Sequence, residues 1–360
     1  MRAAKPRITT LELWEPGESG PGFTFVPQEG FDPAHADRAA SRIGPVAYAA
    51  LRSQVFSAAP QLHMGLQALV NGLESSRLRL LARREGGLTQ QQVDLQYSDV
   101  GKATHWQAIT QYGVIVENLA ALLHGLDAYR SGRDVAAALL DHDLDLLRLL
   151  NEKGRGRLSY WEGLLRRPSE AELAAAGLDR EEVRAMRSGS RDLGQRMLFR
   201  FREVRGYYTP ALHSVYTRYK HGYSLITPHV SPLRILATHD REKEIDDALR
   251  HGFAVMHQRR HDGRRVLQVV RTGADEVVEC TSLAMRALEL TSSLAHSWLM
   301  EVEHPEEHAL TFAKSNDPAT AERQQRAMRT WIGPTFDAVY ELPGIIGSTL
   351  IDSSEVLGEP

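Results

Sequence analysis

Hydrophobic residues recur every three or four positions along most of the chain, which is the spacing of one face of an α-helix. Short breaks that contain glycine, serine or charged residues separate the stretches with this period. Four of these stretches are residues 60–84, 104–129, 134–152 and 179–205. Long helices that alternate with short breaks are typical of helical bundles. We therefore predict a multi-helix bundle over residues 32–230.

Two threonines mark positions where helices are expected to begin. Thr89 is followed by Gln92 and Thr104 by Gln107. Both pairs have the spacing of a capping box, in which the two side chains satisfy backbone N–H groups at a helix start. The spacing therefore predicts two helix starts, with a long helix running from Thr104 to about residue 129.

The period changes after the bundle. Residues 233–238, 253–259 and 264–271 have the composition of strands, and residues 240–250 have a helical pattern. The sequence His-Asp-Gly between the last two strands favours a hairpin turn. We predict a mainly α fold in which a small three-stranded β-α-β-β element, residues 231–273, is inserted before the C-terminal helices. The remaining boundaries are an irregular extension at 1–31, helices packing on the bundle at 274–333, and a tail at 334–360.

Composition and charge restrict the class of protein. The chain has 360 residues, of which 42% are hydrophobic and 25% charged, as in soluble globular proteins. Its net charge is −3, so attraction to nucleic acid has to come from a local basic patch. The single cysteine, Cys280, excludes a multi-cysteine zinc or iron–sulfur site. Because neither a signal sequence nor a long apolar run is found, we expect a cytoplasmic protein with no membrane contact and no cofactor.

Positive charge collects between Gly177 and Gly222. This stretch has ten lysines and arginines against five aspartates and glutamates, a surplus of five. Five of the eleven tyrosines of the chain fall within residues 207–223. Cations interleaved with aromatic rings are the mixture that binds phosphates and stacks on bases. The candidate phosphate-binding residues, two of them from the basic hairpin turn, are Arg196, Arg200, Arg218, Tyr216, Tyr219, Tyr223, Arg260 and Arg264.

The same residues also have structural explanations, which stay open at this stage. The arginines are compatible with a solvated helix face that forms ion pairs. The tyrosines have the periodic spacing of a packed helix end. A charged hairpin turn is a common protection of a sheet edge against aggregation.

Four residues of this segment are candidates for chemistry, namely His213, His221, Arg205 and Lys220. A histidine can transfer a proton, and a cation can stabilise the charge that develops on a phosphate. A long basic helix that ends near a histidine resembles the HEPN class of helical nucleases, whose motif places an arginine shortly before a histidine. The resemblance implies metal-free RNA cleavage. Seven residues separate Arg205 from His213 and two separate Arg218 from His221, so the spacing differs from that motif.

The sequence EVEHPEEH at residues 301–308 contains the best candidate metal ligands. His304 and His308 are four residues apart and could share one helix face. Pro305 stands where a zinc-protease motif has its catalytic glutamate, and a proline followed by glutamates is also a sound helix start. We therefore predict no metal site.

Three functions remain open from the sequence. The first is a cytoplasmic helical protein that binds nucleic acid or nucleotide phosphates, with a weak metal-independent phosphodiesterase activity as its enzymatic variant. The second is a scaffold, complex subunit or homo-oligomer that uses the tyrosine- and arginine-rich segment as a protein interface. The third is a helical-bundle enzyme that acts on a small molecule through histidines gathered from distant helices. Ten of the fifteen histidines follow residue 212.

Overall fold

The computed structural model describes residues 33–85, 87, 89–141, 145–152, 154–164, 180–220, 225–226, 252–258, 263, 265–272 and 274–303. These residues are mainly helical, which confirms the predicted helical class. The helices of the described ranges are α1 (Pro33–Ile43), α2 (Pro45–Ser53), α3 (Ala59–Glu85), α4 (Gln90–Arg130), α5 (Val135–Leu140), α6 (Leu146–Asn151), α7 (Leu158–Leu164), α8 (Arg180–Tyr207), α9 (Pro210–Lys220) and α10 (Ala274–Glu303). A π-helical segment, Gln54–Ala58, joins α2 to α3.

The last of these helices, α10, is the centre of the bundle. It packs chiefly against α4 and also contacts α8, α3, α1 and α2. The larger of two hydrophobic clusters among the described residues extends from Ala36 in α1 to Val302 in α10, and Trp298 and Tyr112 are among its largest buried side chains. None of the helices that the structure describes has an apolar stretch of the length that a bilayer crossing requires.

The predicted β-α-β-β element is wrong. The described strands are β1 (Leu225–Ile226), β2 (Gly252–Gln258) and β3 (Arg265–Arg271), in the order β1-β2-β3 with antiparallel pairing. The first strand of the sheet, β1, is thus a two-residue strand that follows α9. It takes the place that the sequence analysis gave to a strand at 233–238. That segment and the predicted helix at 240–250 lie outside the described residues. An apolar run has the composition of a strand, but tertiary contacts decide which segment pairs with a sheet edge.

Side-chain caps mark several helix starts in the structure. Of the two predicted caps, the one at Thr89 is confirmed and the one at Thr104 is wrong. At Thr89 the capping box is formed, since Gln92 N donates to the hydroxyl and Thr89 N donates to the Gln92 side chain. The helix then continues through Thr104, whose hydroxyl donates to the carbonyl oxygen of Val100 at 2.8 Å. A threonine inside a helix often bonds to the preceding turn in this way. One helix, α4, therefore replaces the two that the sequence predicts.

The predicted helix at 134–152 is divided in two by a second cap. Asp134 accepts a hydrogen bond from Ala137 N at the start of α5, and Asp145 accepts one from Arg148 N at the start of α6, both at 3.0 Å. Aspartate is favoured at such N-terminal positions because its carboxylate satisfies a free backbone N–H group.

Arg155 is a buried cation that fixes the turn before α7. Its guanidinium donates to Asp127 Oδ2 at 2.6 Å, to the Tyr160 hydroxyl at 3.2 Å and to the carbonyl oxygen of Leu149. The Tyr160 hydroxyl in turn donates to Asp127 Oδ1 at 3.1 Å. A buried charge is tolerated only where it is paired and hydrogen-bonded, so this network ties α4, α6 and α7 together.

Two further ion pairs hold the C-terminal end of α10. Arg130 of α4 makes a bidentate pair with Glu301, with both N–O distances 2.8 Å. Arg52 of α2 donates to Glu303 Oε1 at 2.6 Å, and the buried Tyr48 hydroxyl donates to the same oxygen at 2.5 Å. Because these partners are far apart in sequence, the end of α10 is fixed to helices from the first 130 residues of the chain.

Candidate nucleic-acid interface

The arginines of the basic segment lie mostly on the exposed side of α8. Apolar residues at helical spacing face the core on the other side of the helix, among them Leu193, Met197, Phe201 and Val204. This side packs against neighbouring helices that include α7 and α10. The exposed arginines are Arg180, Arg184, Arg191, Arg196, Arg202 and Arg205. An amphipathic helix thus turns a row of cations to solvent because its apolar residues are buried in the bundle.

Two of these arginines converge on the turn before α7. Arg202 Nη2 donates to the carbonyl oxygen of Gly156 at 2.9 Å. Arg205 Nη1 lies 3.4 Å from the point that a Cβ atom on Gly156 would occupy. The next residue in the turn, Arg157, is also exposed. Arg202 and Arg205 both approach Gly156, and because like charges repel one another, an anion that binds near this turn would offset their repulsion.

Arg200 has a different environment from the other arginines of α8. Its guanidinium lies 3.6 Å from Glu203 and 3.5 Å from Glu289 of α10. Glu203 is also bonded to Arg286 at 2.7 Å. These carboxylates attract the Arg200 guanidinium between α8 and α10, so Arg200 also has a structural role beside its predicted phosphate-binding role.

The tyrosines that the structure describes in this segment belong to the core. Tyr208 and Tyr216 are each 3% exposed. The ring of Tyr216 covers the backbone of Gly113 in α4, and its hydroxyl is hydrogen-bonded to Glu117. Burial raises the pKa of both hydroxyls, and the charge of Glu117 adds to the rise. The Tyr216 ring is thus unavailable for stacking on a base, because a glycine in α4 leaves the space into which it packs.

The ring of His213 lies between two hydroxyl groups, those of Tyr208 and Thr217. Its Nδ1 atom lies 3.0 Å from the Tyr208 hydroxyl and its Nε2 atom 3.5 Å from the Thr217 hydroxyl. Arg205 reaches instead toward Gly156. Two of the four residues predicted for acid–base chemistry therefore have different described neighbours, since His213 lies beside Tyr208 and Thr217 and Arg205 lies beside Gly156.

Several predicted site residues, or their side chains, lie outside the described residues. Tyr219 and Lys220 lie in the last turn of α9, and their side chains are outside the described residues. His221, Tyr223, Arg260, Arg264, His304 and His308 also lie outside the described residues. Arg218 is partly exposed in α9. Within the described ranges, histidine, cysteine and acidic side chains form no group of three that could hold a metal ion.

Phe199 is a residue of this surface that the sequence reasoning missed. Its side chain is 60% exposed, although the residue lies in the middle of α8. Arg196 and Arg202 are three residues before and after it, so they are its neighbours on the helix surface. An aromatic residue with an arginine three residues before it and another three residues after it is a pattern that could have been recognised in the sequence as an exposed ring among cations.

Histidines of three other helices are buried in the bundle. Burial lowers the pKa of His63 in α3 and lowers that of His105 in α4 to about 4, and the His105 ring lies 3.0 Å from the Thr272 hydroxyl. Burial, with a smaller contribution from the charge of Arg52, lowers the pKa of His296 in α10 to about 4. These histidines are therefore neutral near pH 7, which is the state that a dry environment favours.

No protein-family model matches this chain, and neither does a curated protein or a solved structure. The resemblance of the basic segment to HEPN nucleases therefore gains no support from these comparisons. The function has to be argued from the contacts of α8.

Proposed function

We propose that this protein binds nucleic acid through the exposed side of α8, with its arginines contacting the phosphate backbone. The observation that carries the proposal is the convergence of Arg202 and Arg205 on Gly156, with both side chains exposed. A guanidinium group has five donors, so the hydrogen bond of Arg202 to Gly156 leaves others for a phosphate.

The length of the row supports a polymer rather than a single phosphate. Arg184, Arg191 and Arg202 fall within about 20° of one another around the helix, and the span from first to last is about 27 Å at the rise of an α-helix. A nucleotide phosphate would occupy only one point of this row. Phosphates that follow each other along a strand could contact several of its arginines.

Salt dependence of binding tests the proposal. Each phosphate contact releases condensed counterions, so the affinity should fall with salt by a logarithmic slope of about 0.7 per contact for a single strand and about 0.9 for a duplex. We expect Arg202→Gln and Arg205→Gln each to weaken binding of a labelled oligonucleotide and to reduce the slope by about this amount. Fluorescence anisotropy across a salt series measures both quantities.

Arg79→Gln is the matched control, because Arg79 is an exposed arginine on α3 and its removal changes the net charge equally. If Arg79→Gln reduces affinity and slope as much as the α8 variants do, binding is a property of overall charge and the proposed surface is wrong. Absence of binding at low salt would reject nucleic-acid binding altogether and favour a protein partner.

A further inference from the structure

Phe199 is a large aromatic residue on the exposed side of α8. Its side chain is 60% exposed, although burial of a large aromatic side chain is favourable. Its helix neighbours Gln195 and Arg202 are exposed and polar. Isolated exposed apolar residues are common and need no explanation, so exposure alone does not indicate a site. The residues around Phe199 provide the second observation.

The charges next to Phe199 favour an anionic partner. Arg196 and Arg202 are exposed and lie one turn to either side of the ring. The nearest acidic neighbour on the helix, Glu203, is already bonded to Arg286 at 2.7 Å. An aromatic ring flanked by cations is a common arrangement in proteins that bind single-stranded nucleic acid, where the ring stacks on a base and the cations contact the backbone.

We infer that Phe199 stacks on an unpaired base and makes the α8 surface selective for single-stranded nucleic acid. This inference rests on the proposed function, since the arginines of α8 supply the phosphate contacts. Arg196 and Arg202 lie about 4.5 Å before and after Phe199 along the helix axis, so the phosphates on either side of a stacked base can each reach a guanidinium group. In a duplex the bases are stacked on each other, and the ring has no free face to cover.

The test compares Phe199→Ala with the unchanged protein on single-stranded DNA, single-stranded RNA and a duplex of the same length. One base–aromatic stack is worth enough to predict a loss of about tenfold in single-strand affinity. The duplex affinity and the salt slope should stay unchanged, because the arginines are retained. Loss on one of the two single strands alone would support the inference and identify the sugar.

Phe56→Ala is the matched control, since Phe56 is 58% exposed and also lies near an arginine, with the Arg52 guanidinium 5.1 Å from its ring. Arg52 is already paired with Glu303. We expect Phe56→Ala to bind single strands as the unchanged protein does. An equal loss in both variants would overturn the inference, because the effect would then come from a general loss of exposed apolar surface.

A second variant gives a direct signal of stacking. Phe199→Trp should keep single-strand binding, and its additional indole fluorescence should be quenched by oligonucleotide, beyond any change in the five native tryptophans. Salt-dependent binding with equal affinity for Phe199→Ala and no quenching in Phe199→Trp would overturn the inference and leave the proposed function standing. Loss of self-association in Phe199→Ala with unchanged single-strand affinity would assign the ring to a protein interface and would also overturn it.

Discussion

The buried imidazole of His296 predicts how the stability of the bundle depends on pH. His296 is 7% exposed, and neither ring nitrogen has a hydrogen-bond partner among the described residues. Its pKa is lowered from 6.5 to about 4 because burial and the nearby Arg52 disfavour the imidazolium. In the unfolded chain the ring has its ordinary pKa and takes up a proton at a higher pH. The unfolded state therefore binds more protons between these two values, and stability falls as the pH is lowered through that range.

The size of the effect follows from the two pKa values. At about pH 5 the free energy of unfolding is lower by about 2 kcal/mol than at about pH 7.5, and the loss approaches about 3 kcal/mol at lower pH. His105 has a pKa lowered by a similar amount and adds a comparable loss. Carboxylates also titrate as the pH falls, but their contribution is common to a variant that retains them.

Urea denaturation of the unchanged protein and of His296→Leu, across this pH range, isolates the contribution of one histidine. The leucine variant should lose about 2 kcal/mol less than the unchanged protein between about pH 7.5 and pH 5. Equal denaturant m-values would show that the unfolded states are comparable. If the two stability profiles run parallel, His296 is not kept neutral by the folded structure and the reasoning is wrong.

Two further predictions concern packing and reactivity. In Gly113→Ala the new Cβ would lie 2.3 Å from Cδ2 of Tyr216, so we expect a loss of about 1–3 kcal/mol in urea denaturation. Gly72→Ala in α3 meets no atom within 4 Å and should instead stabilise the protein by about 0.5–1 kcal/mol; equal effects of the two changes would contradict the contact. Cys280 is buried and its pKa is raised to about 12 by burial, so it should react with a thiol reagent only when the protein unfolds. Reaction of folded protein at the rate of a free thiol would contradict its position in the core.

Helical periodicity predicted the class of fold because it records which face of a helix is buried. Helix ends were predicted less well, because the same capping sequence can also occur inside a helix, where it caps nothing. Thr89 and Thr104 have the same spacing to a glutamine, yet only Thr89 lies at a helix start. Asp145 shows the opposite error. The sequence predicted one continuous helix over 134–152, but Asp145 caps the start of a new helix within it.

The candidate site was predicted in part. The surplus of positive charge between Gly177 and Gly222 was visible in the sequence, and six arginines of α8 are exposed because its apolar residues face the core. Sequence spacing could not show that Tyr216 fills the space beside Gly113, or that Glu289 pairs with Arg200, because both contacts join segments far apart in the chain. Tertiary neighbours therefore decide which residues of a basic, aromatic segment remain available to a ligand.

The position of α10 at the centre of the bundle has a consequence for folding during synthesis on the ribosome. Tyr48 and Glu303, which share a hydrogen bond, are 255 residues apart, and synthesis of that interval takes roughly 13–50 s. During that time the apolar sides of α1 to α4 have no central helix to cover them. Nascent chains of this protein should therefore depend on chaperones more than bundles built from sequential helix pairs, and a transcript truncated before α10 should yield aggregated polypeptide.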